Sequence, residues 1–224
     1  MSAGGQDTQA ASTALEQLCR AYWYPLYAYT RRQGYSPSDG QDLTQQFFAV
    51  FLEKNYFSLA DRERGRFRCF LLASFKHFLA NEHHRSRAVK RGGQYAFISW
   101  DDTDAEGLYS NEPASESSPD LLFDHAWTLT LLEKVMKGLQ AEYASRGQAG
   151  VFEALQIFLT GEKSELTYEE IGKNLSMSES AVKMAVSRLR QRYGQMLRLE
   201  VAHTVTDPAA VEEELRHLVG VLSR

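Results

Sequence analysis

Residues 166–197 read LTYEEIGKNLSMSESAVKMAVSRLRQRYGQML and contain two apolar repeats of helical spacing on either side of a polar turn. Thr167 followed by Glu170 has the spacing of a capping box, in which each residue satisfies a free N–H of the other. Ser178 is placed to cap the second helix, because serine accepts a hydrogen bond from the first helical turn. The stretch therefore predicts a helix, a turn over residues 176–178 and a second helix.

The second helix of this pair has an apolar face and a basic face. Apolar residues recur at helical spacing from Ala181 to Leu189, which predicts the side that packs on the first helix. Between residues 183 and 198 the chain carries five basic and no acidic residues. A basic helix that follows a short turn is typical of the helix-turn-helix unit, whose second helix enters the major groove of DNA. An ordinary helical hairpin with a solvated basic face is the alternative.

The total charge of the chain conceals two basic blocks. For 224 residues the formal charge is −4, which by itself argues against a nucleic-acid partner. Residues 62–91 hold nine basic and two acidic residues, whereas residues 101–124 hold eight acidic and no basic residues. The composition is 43% hydrophobic and 24% charged, so we expect a packed core and exclude disorder of the whole chain.

Targeting, cysteine and metal signals are weak. No stretch reaches the length and hydrophobicity of a membrane helix, and the first residues do not resemble a signal peptide, so we expect a cytoplasmic protein. Cys19 and Cys69 lie within helical apolar patterns, which predicts buried thiols. His77, His83 and His84 lack a matching second pair of metal ligands, so we expect no metal and interpret them as solvated or DNA-facing.

Helical spacing dominates the chain, and no segment before residue 100 alternates as a strand would. Pro25 is expected to kink or break the first helix, and Ser38 or Asp39 to cap the second. The segment rich in Asp, Glu, Ser, Gly and Pro after residue 100 is typical of a linker. We therefore expect an all-α protein with a helical domain over 12–92, an acidic flexible linker over 93–124, a helix-turn-helix domain over 125–200 and an extra helix over 201–224.

The extra helix is expected to begin at Asp207 and Pro208, because proline is favoured in the first turn and aspartate before it. Its apolar residues recur at helical spacing and need a partner surface. Three roles stay open for it. It covers the core of the second domain, binds a regulator, or masks the basic helix.

The chain resembles the extracytoplasmic-function group of bacterial RNA polymerase sigma factors over residues 12–92 and 125–200. The motif DGQDLTQQFFAVFLEK is similar to the D-x-x-D-L-x-Q-x-x-F pattern of that group's second conserved region. In the family this helix docks on the clamp coiled coil of the largest polymerase subunit, and an acidic helix face suits a basic partner. The resemblance implies that core polymerase is bound by Asp39, Asp42, Leu43, Gln45, Gln46 and Phe48.

The first basic block resembles the part of the family that melts and reads the -10 promoter element. Melting requires cations along the single strand and an apolar or aromatic surface for an unstacked base. The four phenylalanines between residues 67 and 78 are at helical spacing, which is more typical of a core. Phe70 and His77 stand where the family commonly has Trp and Asn, so its preferred -10 sequence is not carried over. The implied -10 contacts are Arg66, Arg68, Lys76, His77, Asn81, Arg85, Arg87, Lys90 and Arg91.

The helix pair of residues 166–197 corresponds to the family's fourth region, which reads the -35 element. Ser180, Lys183, Met184 and Ala185 are expected nearest the bases, with Met184 either on a thymine methyl or in the core. The acidic segment replaces the family's third region, as a single-strand mimic in the polymerase channel or as a solvated tether. The implied -35 contacts are Ser178, Ser180, Lys183, Met184, Arg188, Arg190 and Arg192.

The resemblance implies a non-enzymatic sigma factor without cofactor or catalytic residue. Its partners would be core RNA polymerase and promoter DNA, with an anti-sigma protein as a further partner and no membrane. A helix-turn-helix regulator that binds duplex DNA without polymerase is the alternative. A metal-dependent nucleic-acid enzyme built on Asp39 and Asp42 lacks a third ligand at convincing spacing.

Overall fold

The computed structural model describes residues 19–53, 66–88, 105–110, 118–160, 167–205 and 207–223. These residues form helices and turns and contain no strand, which confirms the all-α class. None of the helices in this part of the chain combines the length and hydropathy that a membrane crossing requires. The helices are α1 (residues 19–32), α2 (Pro37–Glu53), α3 (Phe67–Ala88), α4 (Ala105–Ser110), α5 (Pro119–Ser145), α6 (Ala149–Leu155), α7 (Ile157–Thr160), α8 (Tyr168–Leu175), α9 (Glu179–Ala202) and α10 (Val211–Leu222).

The chain folds into two compact units whose limits differ from the expected ones. Unit 1 consists of Met1–Thr130 and Thr204–Arg224, and unit 2 of Leu131–His203. In sequence, unit 2 is therefore an insertion within unit 1, and the chain passes between the units twice. The first passage lies inside α5, which belongs to both units.

Unit 1 has an aromatic core built on α1. Residues 19–32 form one continuous helix through Pro25, so the expected break is wrong. Leu26 and Tyr27 are fully buried, and the ring of Trp23 stacks on that of Tyr27 at a centroid distance of 5.3 Å. Burial of large side chains on both sides of Pro25 outweighs the backbone hydrogen bond that a proline removes.

The N-terminal cap of α2 lies two residues before Ser38, the nearer of the two expected positions. Ser36 Oγ accepts a hydrogen bond from the N–H of Asp39 at 3.1 Å and donates to the Asp39 carboxylate at 2.7 Å. Pro37 then occupies the first helical position, where its missing N–H costs nothing. Phe47 of α2 packs edge-to-face on Phe75 of α3, with 4.9 Å between the ring centroids. Ser36 is therefore the cap, and Ser38 and Asp39 lie inside the helix.

Part of the segment expected to be a flexible linker is folded in unit 1. Of residues 93–124 the structure describes 105–110 and 118–124, and both stretches are helical apart from Ser118. Glu106 of α4 accepts hydrogen bonds from Arg31 Nε at 3.0 Å and Arg31 Nη2 at 2.9 Å, and another from the hydroxyl of Tyr27. The bond from Arg31 lowers the pKa of Glu106. The carboxylate of Glu106 therefore anchors α4 to α1.

The last helix belongs to unit 1, which differs from the expected role of covering the core of the second domain. Asp207 caps the turn that starts at Pro208, as predicted. Glu214 of α10 is fully buried and accepts a hydrogen bond from Arg68 Nε at 2.6 Å. Arg66 Nε lies 2.7 Å from the same carboxylate. The buried apolar residues of α10 are Val211, Leu218 and Val221.

Arg68 is the charge at the centre of this contact. It is 3% exposed and pairs with Glu214 and with Asp124 of α5, and Asp124 also lies 3.2 Å from the imidazole of His217. Burial alone would lower the pKa of Arg68, but the hydrogen bond to Glu214 and the charge of Asp124 outweigh it and raise that pKa. One buried guanidinium therefore connects α3, α5 and α10.

We predict that Glu214→Gln destabilises unit 1 by about 3 kcal/mol, because breaking a buried ion pair leaves a charge without compensation. Thermal and urea unfolding followed by tryptophan fluorescence measures this, since all three tryptophans lie in the sequence of unit 1. Glu213→Gln is the matched control, because Glu213 is largely exposed and, among the described residues, pairs with Arg66 alone. Equal losses in both variants would contradict a special role for the buried carboxylate.

Candidate nucleic-acid interface

The helix pair of unit 2 begins and turns as its sequence predicts. Thr167 Oγ1 accepts a hydrogen bond from the N–H of Glu170 at 3.3 Å, and the Glu170 carboxylate accepts one from the N–H of Thr167 at 2.8 Å. Ser178 Oγ accepts a hydrogen bond from the N–H of Ala181 at 3.2 Å and caps α9. The capping box and the second cap are confirmed, so the starts of α8 and α9 are set locally.

A close backbone approach shapes the turn between α8 and α9. Ser176 has a φ of 55°, and the N–H of Met177 donates to the carbonyl of Gly172 at 2.8 Å. This is a Schellman ending, which usually has glycine in the left-handed position. A Cβ on Gly172 would lie 2.6 Å from the carbonyl oxygen of Met177. The turn can therefore fold back on α8 only because residue 172 has no side chain.

The buried face of α9 determines which of its side chains reach solvent. The core cluster of unit 2 combines α9 with α5, α6 and α8. Because the buried positions follow helical spacing, the opposite side of α9 is left to solvent. The buried members of the cluster are Leu139, Phe152, Leu155, Ile171, Val182, Val186 and Leu189.

The solvent side of α9 carries a continuous line of exposed side chains. They are spaced three and four residues apart, which places them along one face of the helix. Ser187 and Gln191 belong to this line but not to the predicted contacts, although helical spacing from Lys183 and Met184 could have identified them. We call the line the α9 stripe: Ser180, Lys183, Met184, Ser187, Arg188 and Gln191.

Two neighbouring positions resolve alternatives left open by the sequence. Met184 is 57% exposed, so it does not pack in the core. Ala185 is half-buried and packs against the core cluster, so it is removed from the base-facing set. Lys183 Nζ lies 2.6 Å from Glu179 and 5.8 Å from the ring centroid of Tyr168. The hydrogen bond to Glu179 raises the pKa of Lys183, which keeps the ammonium charged.

The remaining cations of α9 differ in their availability. Arg190 Nε donates to the carbonyl of Phe158 at 3.1 Å. Arg192 Nε and Nη2 lie 2.9 and 2.7 Å from one carboxylate oxygen of Glu142, and this hydrogen bonding raises the pKa of Arg192. Arg188 forms no ion pair with any other residue that the structure describes. Arg188 is thus the cation of the stripe that is most available to a partner.

Several predicted -10 contacts in unit 1 are already paired. Arg68 is buried in the contact with α10, so it is removed from the DNA-facing set. Arg66 pairs with Glu213 and Glu214, and Lys76 Nζ lies 2.6 Å from Asp120. His77 and Asn81 are exposed one helical turn apart on α3. Outside the described residues lie the side chains of Arg85 and Arg87 and the whole of Lys90 and Arg91.

The aromatic residues and the cysteine of α3 also have defined places. Phe75 is fully buried, which confirms its core role. Phe67, Phe70 and Phe78 are half-buried and contact other rings of unit 1. Cys69 is exposed, so its predicted burial is wrong, whereas the predicted burial of Cys19 is confirmed. Apolar spacing on a helix does not distinguish the edge of the buried face from its centre, and Cys69 lies beyond that edge.

The predicted polymerase-binding residues of α2 divide into surface and core. Asp39 and Asp42 are exposed, so both carboxylates are accessible. Phe48 is 1% exposed and belongs to the aromatic core, which removes it from the binding set. The half-buried members are Leu43, Gln45 and Gln46.

Comparisons with known proteins found no match to this chain. No protein-family model matches the chain, and no curated protein or solved structure is significantly similar to it. Among the described residues, no three His, Cys, Asp or Glu side chains are grouped as a metal site. The exposed α9 stripe and the exposed acids of α2 are the features on which a function can be argued.

We predict that Gly172→Ala destabilises unit 2 by about 1–3 kcal/mol, because the new methyl group meets a backbone carbonyl that cannot move alone. Gly150→Ala is the matched control. A Cβ at Gly150 meets nothing within 4 Å, so alanine there is expected to stabilise α6 by up to about 1 kcal/mol. Thermal unfolding followed by circular dichroism measures both. Stabilisation by Gly172→Ala would contradict the close approach.

Proposed function

We propose that the protein is a sigma factor of the extracytoplasmic-function type, a non-enzymatic subunit that directs core RNA polymerase to promoters in the cytoplasm. The observation that carries the DNA-binding part of this proposal is the α9 stripe, which combines exposed cationic, amide, hydroxyl and thioether groups on one helix face. The capped turn before α9 supports it, because a recognition helix needs a defined orientation. No cofactor enters the proposal.

The length and chemistry of the α9 stripe suit the major groove. From Ser180 to Gln191 it spans about 16 Å, or roughly five base pairs. Lysine and arginine donate to guanine, glutamine pairs with adenine, and an apolar group contacts the thymine methyl. Lys183 and Met184 lie in the N-terminal half of α9, where a recognition helix reaches base edges. We therefore assign the α9 stripe to the -35 element.

The surface of unit 1 supports the two other contacts of a sigma factor. Asp39 and Asp42 present exposed carboxylates on α2, which suit a basic coiled coil of the polymerase clamp. His77 and Asn81 are the exposed polar groups of α3 assigned to the -10 element. Arg68 has no part in this assignment, because its guanidinium is used to hold α10.

The α9 stripe alone would equally suit a regulator that binds DNA without polymerase. The exposed acids of α2 favour the sigma factor, because they offer a complementary charge to a basic surface of the polymerase. The two functions differ in a direct way. A sigma factor forms a stable complex with core polymerase, whereas a regulator binds its DNA site in the absence of polymerase.

We predict that the purified protein co-elutes with bacterial core polymerase and that Asp42→Arg reduces this affinity at least tenfold, since it places a cation against a basic surface. Size-exclusion chromatography and a fluorescence binding titration measure the complex. Glu153→Arg is the matched control, because it reverses an exposed charge on α6 of unit 2.

Failure of the unmodified chain to bind core polymerase, including that of its own source, would rule out the sigma factor. Equal affinity of Asp42→Arg and the unmodified chain would remove the acids of α2 from the contact. Circular dichroism of each variant verifies that the fold is retained.

We predict that Lys183→Ala, in the complex with core polymerase, weakens binding to a promoter duplex about tenfold and relaxes its -35 preference. Lys173→Ala is the matched control. Lys173 on α8 pairs with Glu169 at the same spacing as Lys183 with Glu179, so both variants lose one charge and one exposed ion pair. Equal losses in the two variants would contradict the assignment of the α9 stripe to the bases.

A further inference from the structure

A cavity of about 630 Å³ borders the α9 stripe on the surface of unit 2. Its walls come from the end of α5, the start of α6, the turn before α9 and α9 itself. Arg188 belongs both to the cavity wall and to the α9 stripe. The cavity is therefore continuous with the surface that we assign to the -35 element.

Three arginines and one carboxylate give this cavity a positive charge. Arg146, Arg188 and Arg192 line it together with Glu142. Glu142 accepts from Arg146 Nη2 at 2.8 Å and from Arg192 Nη2 at 2.7 Å, so a single carboxylate orients two guanidinium groups. The hydrogen bond from Arg192 lowers the pKa of Glu142, which stays ionised. The formal charge of the four side chains is therefore +2.

Donor groups remain after these pairings. A guanidinium has five N–H donors, and Glu142 takes Nε and one Nη2 proton of Arg192 and one Nη2 proton of Arg146. Arg188 adds a third guanidinium without an ion-pair partner among the described residues. Anchored arginines bind anions at a smaller entropic cost, because their side chains are already ordered. The arrangement suits an anion with several acceptor oxygens.

Apart from Gln148, the rest of the cavity wall is mainly apolar. Tyr143, Val151, Met177 and Ala185 contribute to it. A site for an inorganic anion alone needs little apolar surface and far less volume. A sugar-phosphate unit has a charged phosphate and a largely apolar deoxyribose face, so it matches both parts of the wall.

We propose that this cavity is a cradle for one sugar-phosphate segment of the promoter duplex that the α9 stripe reads. This proposal rests on the proposed function and extends it, because it assigns a DNA contact to Arg146, the residue that follows α5, outside the helix pair. Phosphate contacts carry no sequence information but fix the register of a recognition helix. The cradle would therefore set the depth and angle at which α9 enters the groove.

The test is the salt dependence of duplex binding by Arg146→Gln, measured by fluorescence anisotropy with the full chain bound to core polymerase. Loss of one phosphate contact is expected to reduce the slope of log affinity against log salt by about one unit. Affinity at moderate salt is expected to fall about five- to tenfold, equally for the preferred and for a scrambled -35 sequence. An equal loss on both sequences distinguishes Arg146→Gln from Lys183→Ala, which is expected to change the -35 preference.

The control is Lys137→Gln, which matches Arg146→Gln closely. Lys137 is exposed, lies on α5 and pairs with Glu133 four residues before it, as Arg146 pairs with Glu142. Each variant therefore loses one positive charge and one ion pair between residues four positions apart. Lys137 does not line the cavity, so its variant is expected to keep the affinity and slope of the unmodified protein.

The outcomes of this test distinguish failure of the cradle from failure of the proposed function. Unchanged affinity and slope for Arg146→Gln, with Lys183→Ala still impaired, would overturn the cradle and leave the α9 assignment intact. Loss of core binding by Arg146→Gln would also overturn it. Absence of promoter binding by the complex with unmodified protein would overturn both proposals.

A second arm distinguishes duplex phosphate from a free anion. Inorganic phosphate and a mononucleotide are titrated into the unmodified chain and Arg146→Gln, with binding followed by calorimetry. If the cavity is a cradle for duplex DNA, we expect both probes to bind weakly, with dissociation constants in the millimolar range or above. Tight binding of either probe that depends on Arg146, together with unchanged duplex affinity of the variant, would show a small-molecule site and overturn the cradle.

Discussion

The buried guanidinium of Arg68 is the constraint on which the arrangement of unit 1 depends. A buried charge is costly unless ion pairs and hydrogen bonds satisfy it. Its partners, Glu214 and Asp124, come from α10 and α5, so satisfying one side chain brings three distant segments together. This requirement places the last helix in unit 1 and makes unit 2 an insertion within its sequence. A buried pair of this kind specifies an arrangement more than it adds stability.

Ion pairs within unit 1 also decide which of its cations remain available to a partner. The acidic segment after residue 100 supplies Glu106, Asp120 and Asp124, and each pairs with a base of unit 1. Asp120 and Asp124 pair with Lys76 and Arg68 of the basic block that precedes them, whereas Glu106 pairs with Arg31 of α1. Part of the cancellation in the formal charge therefore corresponds to ion pairs within unit 1. In unit 2, Lys183 and Arg192 of α9 are paired with acids, whereas Arg188 has no ion-pair partner among the described residues and stays available.

Features governed by neighbouring residues could be predicted from the sequence. The capping box at Thr167, the cap at Ser178 and the turn at Pro208 each depend on a span of a few residues. The predicted cap of α2 is wrong because Ser36 and Ser38 are both serines near the start of the helix. Pro37 is the first helical residue, and this makes Ser36 the cap. Pairings such as Arg68 with Glu214 join residues 146 positions apart and leave no local signal.

The candidate site shows the same difference between features set by neighbouring residues and features set by residues distant in the sequence. Helical spacing determines which residues belong to the α9 stripe once the buried face of α9 is known. The same spacing adds Ser187 and Gln191 to the predicted contacts. The availability of each cation could not be derived, because it depends on acids from other helices. Arg188 and Arg192 are equivalent in the sequence, yet Glu142 of α5 pairs with Arg192 and not with Arg188. Charge along a sequence therefore identifies a surface, and the fold decides which of its charges a partner meets.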